Sequence, residues 1–470
     1  MTNAAAAVFA AIVTCGAGAV LTLLTARRRM LAGWLAFLFT ALSTVLIAAA
    51  AIQVLAGWGR WPGASWLAAG AAALRLQVDG LSTVFLMVAA VVALPASLYS
   101  IRYLGHYPGS VARYYPYFLL LLAAIFGLLT TADTLWWFLI FWQLMVFAGY
   151  ILIRFDRAAG ARGANRFAIM LELACAAIVA GTGVLARVGT AGGRVGYDWH
   201  TLSAGLPRML STAPGDSTLA FLLVFLGFAI TMGLWPFGQL WLSHASPDAP
   251  APVSALLSSV VIKIGAYGLM RYFLFLLPAG AQASFPLAKW GMAIALLGTI
   301  TMFVGTMQAL GSKRLLAFHS MGQMGYIGLA LGTCLALLGT TNGAAAGLPA
   351  FALLAALFHI VNHSLFGSLL YLNSGSVLHS TGTKDLDRLG GLMKFMPTTA
   401  LTALVGSLAI SGVPLFNGFA SKWAIFVAAI EGAHWTRYLA VCAVVAILTS
   451  GLTLASFIKF FGTIFLSRTS

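Results

Sequence analysis

The sequence predicts an all-α polytopic membrane protein with about thirteen transmembrane helices. Ten of them form two inverted five-helix repeats, in which the seventh and twelfth helices are broken. Three observations lead there. Of the 470 residues, 61% are apolar and only 8% are charged. The apolar residues collect into runs of the roughly 20 residues that a bilayer requires. Two of those runs carry helix breakers at corresponding places. Soluble globular proteins carry about 25% charged residues, and the mean hydropathy here is +0.97. A soluble enzyme, a disordered chain and a nucleic-acid binder are thereby excluded. The formal charge of +16 then reflects basic loops on the cytoplasmic side of a membrane, not a nucleic-acid partner.

In chain order, the spanning segments fall near 4–26, 31–56, 81–101, 115–131, 135–153, 167–189, 218–241, 254–277, 288–310, 315–339, 347–373, 398–430 and 439–466. Arg27, Arg28 and Arg29 follow the first span and do not precede it. That order suits a first helix with its N-terminus outside, not a cleaved signal peptide. The fourth and fifth spans are short and are parted only around Asp133. Loops after the odd-numbered spans hold fifteen lysines and arginines, against about eight on the other side. This bias predicts an outside N-terminus and a cytoplasmic C-terminus in a bacterial cytoplasmic (inner) membrane. Tryptophans within 57–66 and 136–142 include expected interface anchors. Arg75-Leu-Gln-Val-Asp79-Gly80 reads as a polar turn on the outer side.

The seventh span contains Gly233-Leu-Trp-Pro236, and the twelfth contains Ser411-Gly-Val-Pro414-Leu-Phe-Asn417-Gly418. Proline removes a backbone donor and clashes with the preceding turn. In lipid the freed carbonyls must find protein or water. Interrupted helices at matching places in two halves point to a transport site. The expected organisation is 1–112 for the first three spans and the outer polar turn, 113–277 for the first repeat, and 278–470 for the second. An odd number of helices per repeat makes the second inverted.

A charge at the bilayer centre costs about 2.5–3.5 kcal/mol on insertion scales, so such a residue is paired or functional. Lys263 lies near the middle of the eighth span and Lys422 well inside the twelfth. His359 and His363 are one turn apart in the eleventh and share a face, which Gly367 continues. His319 lies one turn into the tenth, after Lys313 and Arg314. Glu172 is the one glutamate inside a span, in the cytoplasmic third of the sixth. Lysine in an apolar medium and histidine are both able to gain and lose protons. Lys263, His359, His363 and Lys422 therefore form a candidate chain of proton-holding groups. The histidine pair has metal-ligand spacing but no third ligand nearby, so no metal is expected.

Cys15, Cys175, Cys334 and Cys442 sit singly in apolar stretches, so neither disulfides nor a cluster site is expected. Gly181-Thr-Gly-Val-Leu-Ala186 matches a dinucleotide fingerprint by letters. It lies inside an apolar span with no strand before it and reads as helix packing. There is no phosphate-binding loop. No cofactor and no catalytic site are expected in this chain.

Ala249-Pro-Ala-Pro-Val-Ser-Ala-Leu-Leu, followed by Ile262-Lys263-Ile-Gly-Ala-Tyr-Gly-Leu-Met-Arg271, resembles a known family. So do Val78-Asp79-Gly80-Leu-Ser, Lys313-Arg-Leu-Leu-Ala-Phe-His-Ser-Met-Gly-Gln-Met-Gly-Tyr326, His359-Ile-Val-Asn-His363 and Pro414-Leu-Phe-Asn-Gly-Phe-Ala-Ser-Lys422-Trp. The family comprises the antiporter-like proton-translocating subunits of respiratory complex I, membrane-bound hydrogenases, formate hydrogenlyase and multi-subunit cation/proton antiporters. The resemblance covers roughly 75–465. Gly375-Ser-Val-Leu-His through Gly391-Leu392 looks closest to the hydrogenase and formate hydrogenlyase branch. It implies a proton path through Lys263, His359, His363 and Lys422, extended by Lys313 and His319.

Three positions depart from the family pattern. Gln143 stands where the family has a fifth-span glutamate. Thr231 replaces a seventh-span lysine, five residues before the proline. Gly367 replaces a lysine after the histidine motif. Each change removes a charge, and losing the first two together avoids stranding either one in a low-dielectric interior. The family's fourteenth span and lateral helix are expected to be missing after Phe461-Gly462.

The resemblance implies a membrane subunit of a respiratory oxidoreductase complex, hydrogenase-like or of the NADH:quinone type. Its role would be proton translocation coupled to redox chemistry in partner subunits, impaired here by the lost charges. The implied partners are other antiporter-like and small membrane subunits, soluble redox or hydrogenase-like subunits on the cytoplasmic side, and membrane lipid. One rival reading is a non-pumping scaffold subunit. Another is the membrane component of a two-part cation or inorganic-carbon transporter.

Overall fold

The computed structural model of the protein describes residues 3–57, 65–66, 74–107, 110–155, 161–188, 196–278, 285–310, 314–340, 347–383 and 386–467. Nearly all of these are helical. The strands Ser65–Trp66 and Arg75–Leu76 form a two-residue antiparallel pair. The first six helices are α1 (Asn3–Leu24), α2 (Arg29–Ala56), α3 (Gly80–Tyr103), α4 (Tyr115–Thr130), α5 (Trp136–Ile153) and α6 (Ala161–Val188). They are followed by α7 (Trp199–Thr212), α8 (Pro214–Met232), α9 (Phe237–Asp248) and α10 (Ala251–Phe275). The last six are α11 (Leu287–Leu310), α12 (Leu315–Thr340), α13 (Leu348–Thr381), α14 (Pro397–Ser411), α15 (Asn417–Gly432) and α16 (Tyr438–Phe461).

By length and composition, twelve helices of the described residues are able to cross a membrane, with α8 and α9 counted as one. The expected twelfth span is absent from that number because it is divided. Its pieces, α14 and α15, have 15 and 16 residues, and each is too short to cross alone. The α7 helix was not expected. Its buried residues Leu202, Leu206, Met209 and Leu210 recur at helical spacing, as in a helix with one covered face. The Asp198 carboxylate caps it by accepting from the Thr201 amide at 3.0 Å.

The chain divides into two compact units. The first is Met1–Thr231, Asp248–Leu256 and Lys263–Phe285; the second is Met232–Pro247, Leu257–Ile262 and Pro286–Ser470. In the first unit, α4 is buried almost throughout, with Phe118, Leu122 and Phe126 inside. Asp133 opens α5, its Oδ1 accepting from the Leu135 and Trp137 amides at 2.9 and 3.2 Å. Gly181 of α6 faces α8, where a Cβ would stand 2.7 Å from the Ala220 carbonyl oxygen. The glycine pattern inside that span thus serves helix packing.

In the second unit, α11 lies against α12 through Gly291, Gly298 and Gly305, at seven-residue spacing. A methyl group on any of them would press on α12, at Ala336, at Leu329 and at Phe318 or Gly322. An apolar core of Phe366, Leu370, Ile410, Phe457 and Phe460 joins α13, α14 and α16.

Candidate functional site

The break between α14 and α15 is built by Gly412 and Pro414. Gly412 has φ +75°, a left-handed conformation that glycine adopts without the penalty a Cβ brings. There the Gly412 amide donates to the Ala409 carbonyl at 3.0 Å and the Val413 amide to the Leu408 carbonyl at 3.1 Å, a Schellman-type ending. Two carbonyls of the last turn remain, those of Ile410 and Ser411. Lys422 Nζ donates to the Ile410 oxygen at 2.9 Å. Ser450 Oγ of α16 donates to the Ser411 oxygen at 2.9 Å and accepts from Lys422 Nζ at 3.3 Å.

Lys422 Nζ also lies over the Tyr326 ring, 4.6 Å from its centroid. That ring is held by its hydroxyl, which donates to the Ala446 carbonyl at 2.9 Å. Lys422 is 1% exposed, and it forms no ion pair among the described residues. Its ammonium is therefore met by a helix C-terminus, whose partial charge is negative, by a hydroxyl and by an aromatic face. The sequence places it there simply: Lys422 sits on the second turn of α15, and α15 starts where α14 stops.

Ser421, the preceding residue, turns the other way. Its Oγ lies 2.9 Å from His359 Nδ1, and His359 Nε2 lies 3.2 Å from Gln323 Oε1. With Nε2–H donating to Gln323, Nδ1 accepts from Ser421. Both ring nitrogens are thus engaged within hydrogen-bond distance. The His363 ring is 6.4 Å from His359, with 23° between planes, and Tyr326 is 5.8 Å from His359. A Cβ on Gly367 would lie 3.2 Å from His363 Cδ2. Within the second unit, His363, His359, Tyr326, Ser421 and Lys422 thus form one continuous polar row across α13, α12 and α15. His319 is fully buried within reach of the Lys422 charge, its ring 4.7 Å from Phe457. Among the described residues neither of its nitrogens has a hydrogen-bond partner.

The other break also begins at a left-handed glycine, Gly233 with φ +72°. The Trp235 amide donates to Thr301 Oγ1 at 3.0 Å, and the Gly238 amide returns to the Leu234 carbonyl at 3.0 Å. In the first unit, Thr231 is fully buried and its hydroxyl donates to the Gly227 carbonyl of its own helix at 2.9 Å. Gln143 Nε2 donates to Glu172 Oε2 at 2.9 Å, linking α5 to α6. Lys263 is buried at 1% exposure, two residues after the end of a π-helical turn at Leu257–Val261. Such turns recur at functional sites. Lys313 lies outside the described residues.

The strongest charge contact in the first unit was not expected. Asp79 and Arg271 form a bidentate pair, with Nη1 2.5 Å from Oδ2 and Nη2 2.6 Å from Oδ1. Tyr267 accepts from Arg271 Nε at 2.8 Å and donates to the Leu129 carbonyl at 2.6 Å. Asp79 also caps α3, its Oδ1 accepting from the Ser82 amide at 2.9 Å. Burial alone would raise the Asp79 carboxyl, but the Arg271 guanidinium and the Ser82 donors outweigh it and hold it below the usual carboxylate range. The polar turn before α3 is therefore the acidic half of an anchor to the end of α10. Both residues sit in segments that carried the family resemblance, which was the available signal. Trp142 is not an interface anchor: it is buried, and its indole donates to the Leu171 carbonyl at 3.1 Å.

Two family models match the chain. One, described as the NADH:quinone oxidoreductase/Mrp antiporter transmembrane region, covers residues 132–449. The other, the N-terminus of chain 5 of NADH-ubiquinone oxidoreductase (complex I), covers 66–115. Hydrogenase-4 component B of Escherichia coli is 31% identical over 400 residues, 83% of this chain and 57% of that protein. The chain thus spans little more than half of that relative's length. Formate hydrogenlyase subunit 3 of the same organism is 31% identical over 464 residues, 96% of this chain and 70% of that protein. Among solved structures, the Mrp complex of a Dietzia species has a chain matching with a TM-score of 0.82 at 23% identity, over 100% of this chain and 82% of that one. At that identity the likeness speaks to fold.

Proposed function

The chain belongs to the NADH:quinone oxidoreductase/Mrp antiporter membrane-subunit family, and from that premise we propose that its second unit moves protons in a hydrogenase-like or complex-I-like assembly. The redox chemistry belongs to partner subunits, soluble ones on the cytoplasmic side and further antiporter-like ones in the bacterial inner membrane. The N-terminus lies outside, and α4–α10 and α11–α16 are inverted repeats. Lys263, Lys313 and His319 extend the path. One observation carries this reading. Lys422 is held at a helix break by a carbonyl, a hydroxyl and a ring, with no carboxylate among the described residues to lock it, and it adjoins the His359–His363 row through Ser421. An ammonium so held is able to give up its proton without stranding a buried anion.

The test is Lys422→Met in the assembled complex, with proton movement measured in vesicles. Translocation should fall on the order of a hundred-fold, the scale of losing a proton-transfer group, while assembly persists. Lys422→Arg should fail too, because a guanidinium keeps its proton. Full translocation by Lys422→Met would reject the proposal.

A second reading, a scaffold that pumps poorly, is favoured by Gln143 and Thr231. Neither carries a mobile charge, and the Thr231 hydroxyl is spent on its own helix. The discriminating measurement is Gln143→Glu made together with Thr231→Lys. A rise in protons moved per electron in the double variant supports the scaffold reading. A native ratio already equal to that of relatives with both charges rejects it.

A further inference from the structure

The Gln143–Glu172 contact lies on the outside of the first unit. Gln143 is exposed and Glu172 half-buried. Around them stand exposed Ile140 and Phe147 on α5 and exposed Ile169 and Leu173 on α6. Gln143 is the eighth of the 18 residues of α5. At about 1.5 Å per residue it is roughly 10 Å from one end of the span and roughly 15 Å from the other. Glu172 is the twelfth of the 28 residues of α6, nearer the middle than the cytoplasmic third expected from sequence, so a polar pair is set at mid-depth in an otherwise apolar lateral face. Gln143 is neutral and meets one carboxylate oxygen. Among the described residues Glu172 has no ion-pair partner. A carboxylate facing hydrocarbon costs about 2.5–3.5 kcal/mol, and such groups as a rule face protein or water.

We propose that the α5–α6 face is an interface for a membrane helix of a different subunit, one that sets a lysine or arginine against Glu172 at mid-depth. Charge complementarity selects the occupant. A lipid tail offers no donor, and a lipid headgroup does not reach that depth. A second copy of this chain does not supply the cation either. Its described mid-span bases, Lys263 and Lys422, are each 1% exposed. The basic residues exposed on its described spans, such as Arg166, Arg187, Lys289 and Lys459, all lie within two turns of a helix end. The inference requires that the chain spans a membrane, not that it moves protons.

The test places a photo-crosslinking residue at Ile169 in the intact complex in its membrane. The expected product joins this chain to one membrane subunit, at a transmembrane helix with a lysine or arginine within a turn of the crosslinked position. Glu172→Lys should lower its yield at least about ten-fold, as for breaking a desolvated charge pair, and changing the partner's base to glutamate should restore it. Glu172→Gln preserves the side chain's shape. With the melting temperature unchanged, it should lower the yield in the same direction by a smaller factor. A product with lipid alone, with a second copy, or with a helix lacking a nearby base would overturn the proposal. So would a yield that neither variant alters.

Discussion

In the first unit, Arg271 is locked to Asp79 through two parallel hydrogen bonds and steadied by Tyr267. In the second, Lys422 has a carbonyl, a hydroxyl and an aromatic face. Both cations are buried, but they are compensated in different ways. A bidentate ion pair between a guanidinium and a carboxylate keeps both charges in place, and removing either partner strands the other. A carbonyl and a ring are neutral, so they favour the ammonium yet remain satisfiable, in part by water, when it loses a proton. The helix breaks repeat this contrast. At the first, a hydroxyl two residues before Gly233 turns back on its own helix; at the second, a lysine is held at the orphan carbonyl. The fixed pair is suited to anchoring α3 against α10, and the carbonyl-held lysine to exchange.

The largest expected effect on stability comes from breaking the fixed pair. Arg271→Met leaves Asp79 buried without its cation and should destabilise the chain by about 3–5 kcal/mol, read as a lower unfolding midpoint in detergent. The same pair sets a pH dependence. The Asp79 carboxyl is held below its ordinary value, so its stabilisation is complete above the unfolded value of about 3.9 and is lost as pH falls through the lower, folded value. The unfolding midpoint should drop on that acid side, and Asp79→Asn should flatten the drop while lowering the midpoint at neutral pH.

A smaller effect is expected at the second break. Gly412→Ala forces a Cβ into a left-handed conformation, 3.0 Å from Lys422 Cδ. About 1–2 kcal/mol should be lost for the conformation alone, and because Lys422 is displaced, proton movement should suffer beyond what the stability change explains. Smallest of all is Thr231→Val. The Gly227 carbonyl already sits in a helix, and the returning hydroxyl adds little. A change under about 1 kcal/mol in the unfolding midpoint, with unaltered proton movement, would sharpen the contrast between the two breaks. A large loss of proton movement would break it, by showing that the Thr231 hydroxyl serves the path.

How much was legible follows from which interactions are local. Pro414 and Gly412 announce a helix end, and Lys422 lies one short helix start further on, so its approach to freed carbonyls could be read from spacing. His359 and His363 share a face at any tertiary arrangement. The partners of these groups were not legible. Tyr326 is 96 positions before Lys422 and Ser450 is 28 after it, by their numbers in the chain, and nothing in apolar composition selects which hydroxyl or ring arrives. Asp79 and Arg271 were both visible as charges at span ends. Their pairing across 192 positions was not, although a chain that begins its third span and ends its eighth on the same side makes it possible.

Composition and the spacing of apolar runs, breakers and basic loops determined by themselves that this chain is a multi-pass helical membrane protein with two interrupted helices. The reason is that hydrocarbon offers backbone groups no partner, so long apolar runs must satisfy them internally as helices and breaks must find protein or water. Hydropathy and helix breakers therefore carry most of the information about where helices lie. Tertiary structure decided which buried charges are fixed and which are held by neutral groups. It also decided that Glu172 meets Gln143 on an outer face. Those outcomes depend on side chains brought within about 3 Å of one another by helix packing, and a hydrogen bond's strength is settled at that distance, not by separation along the chain.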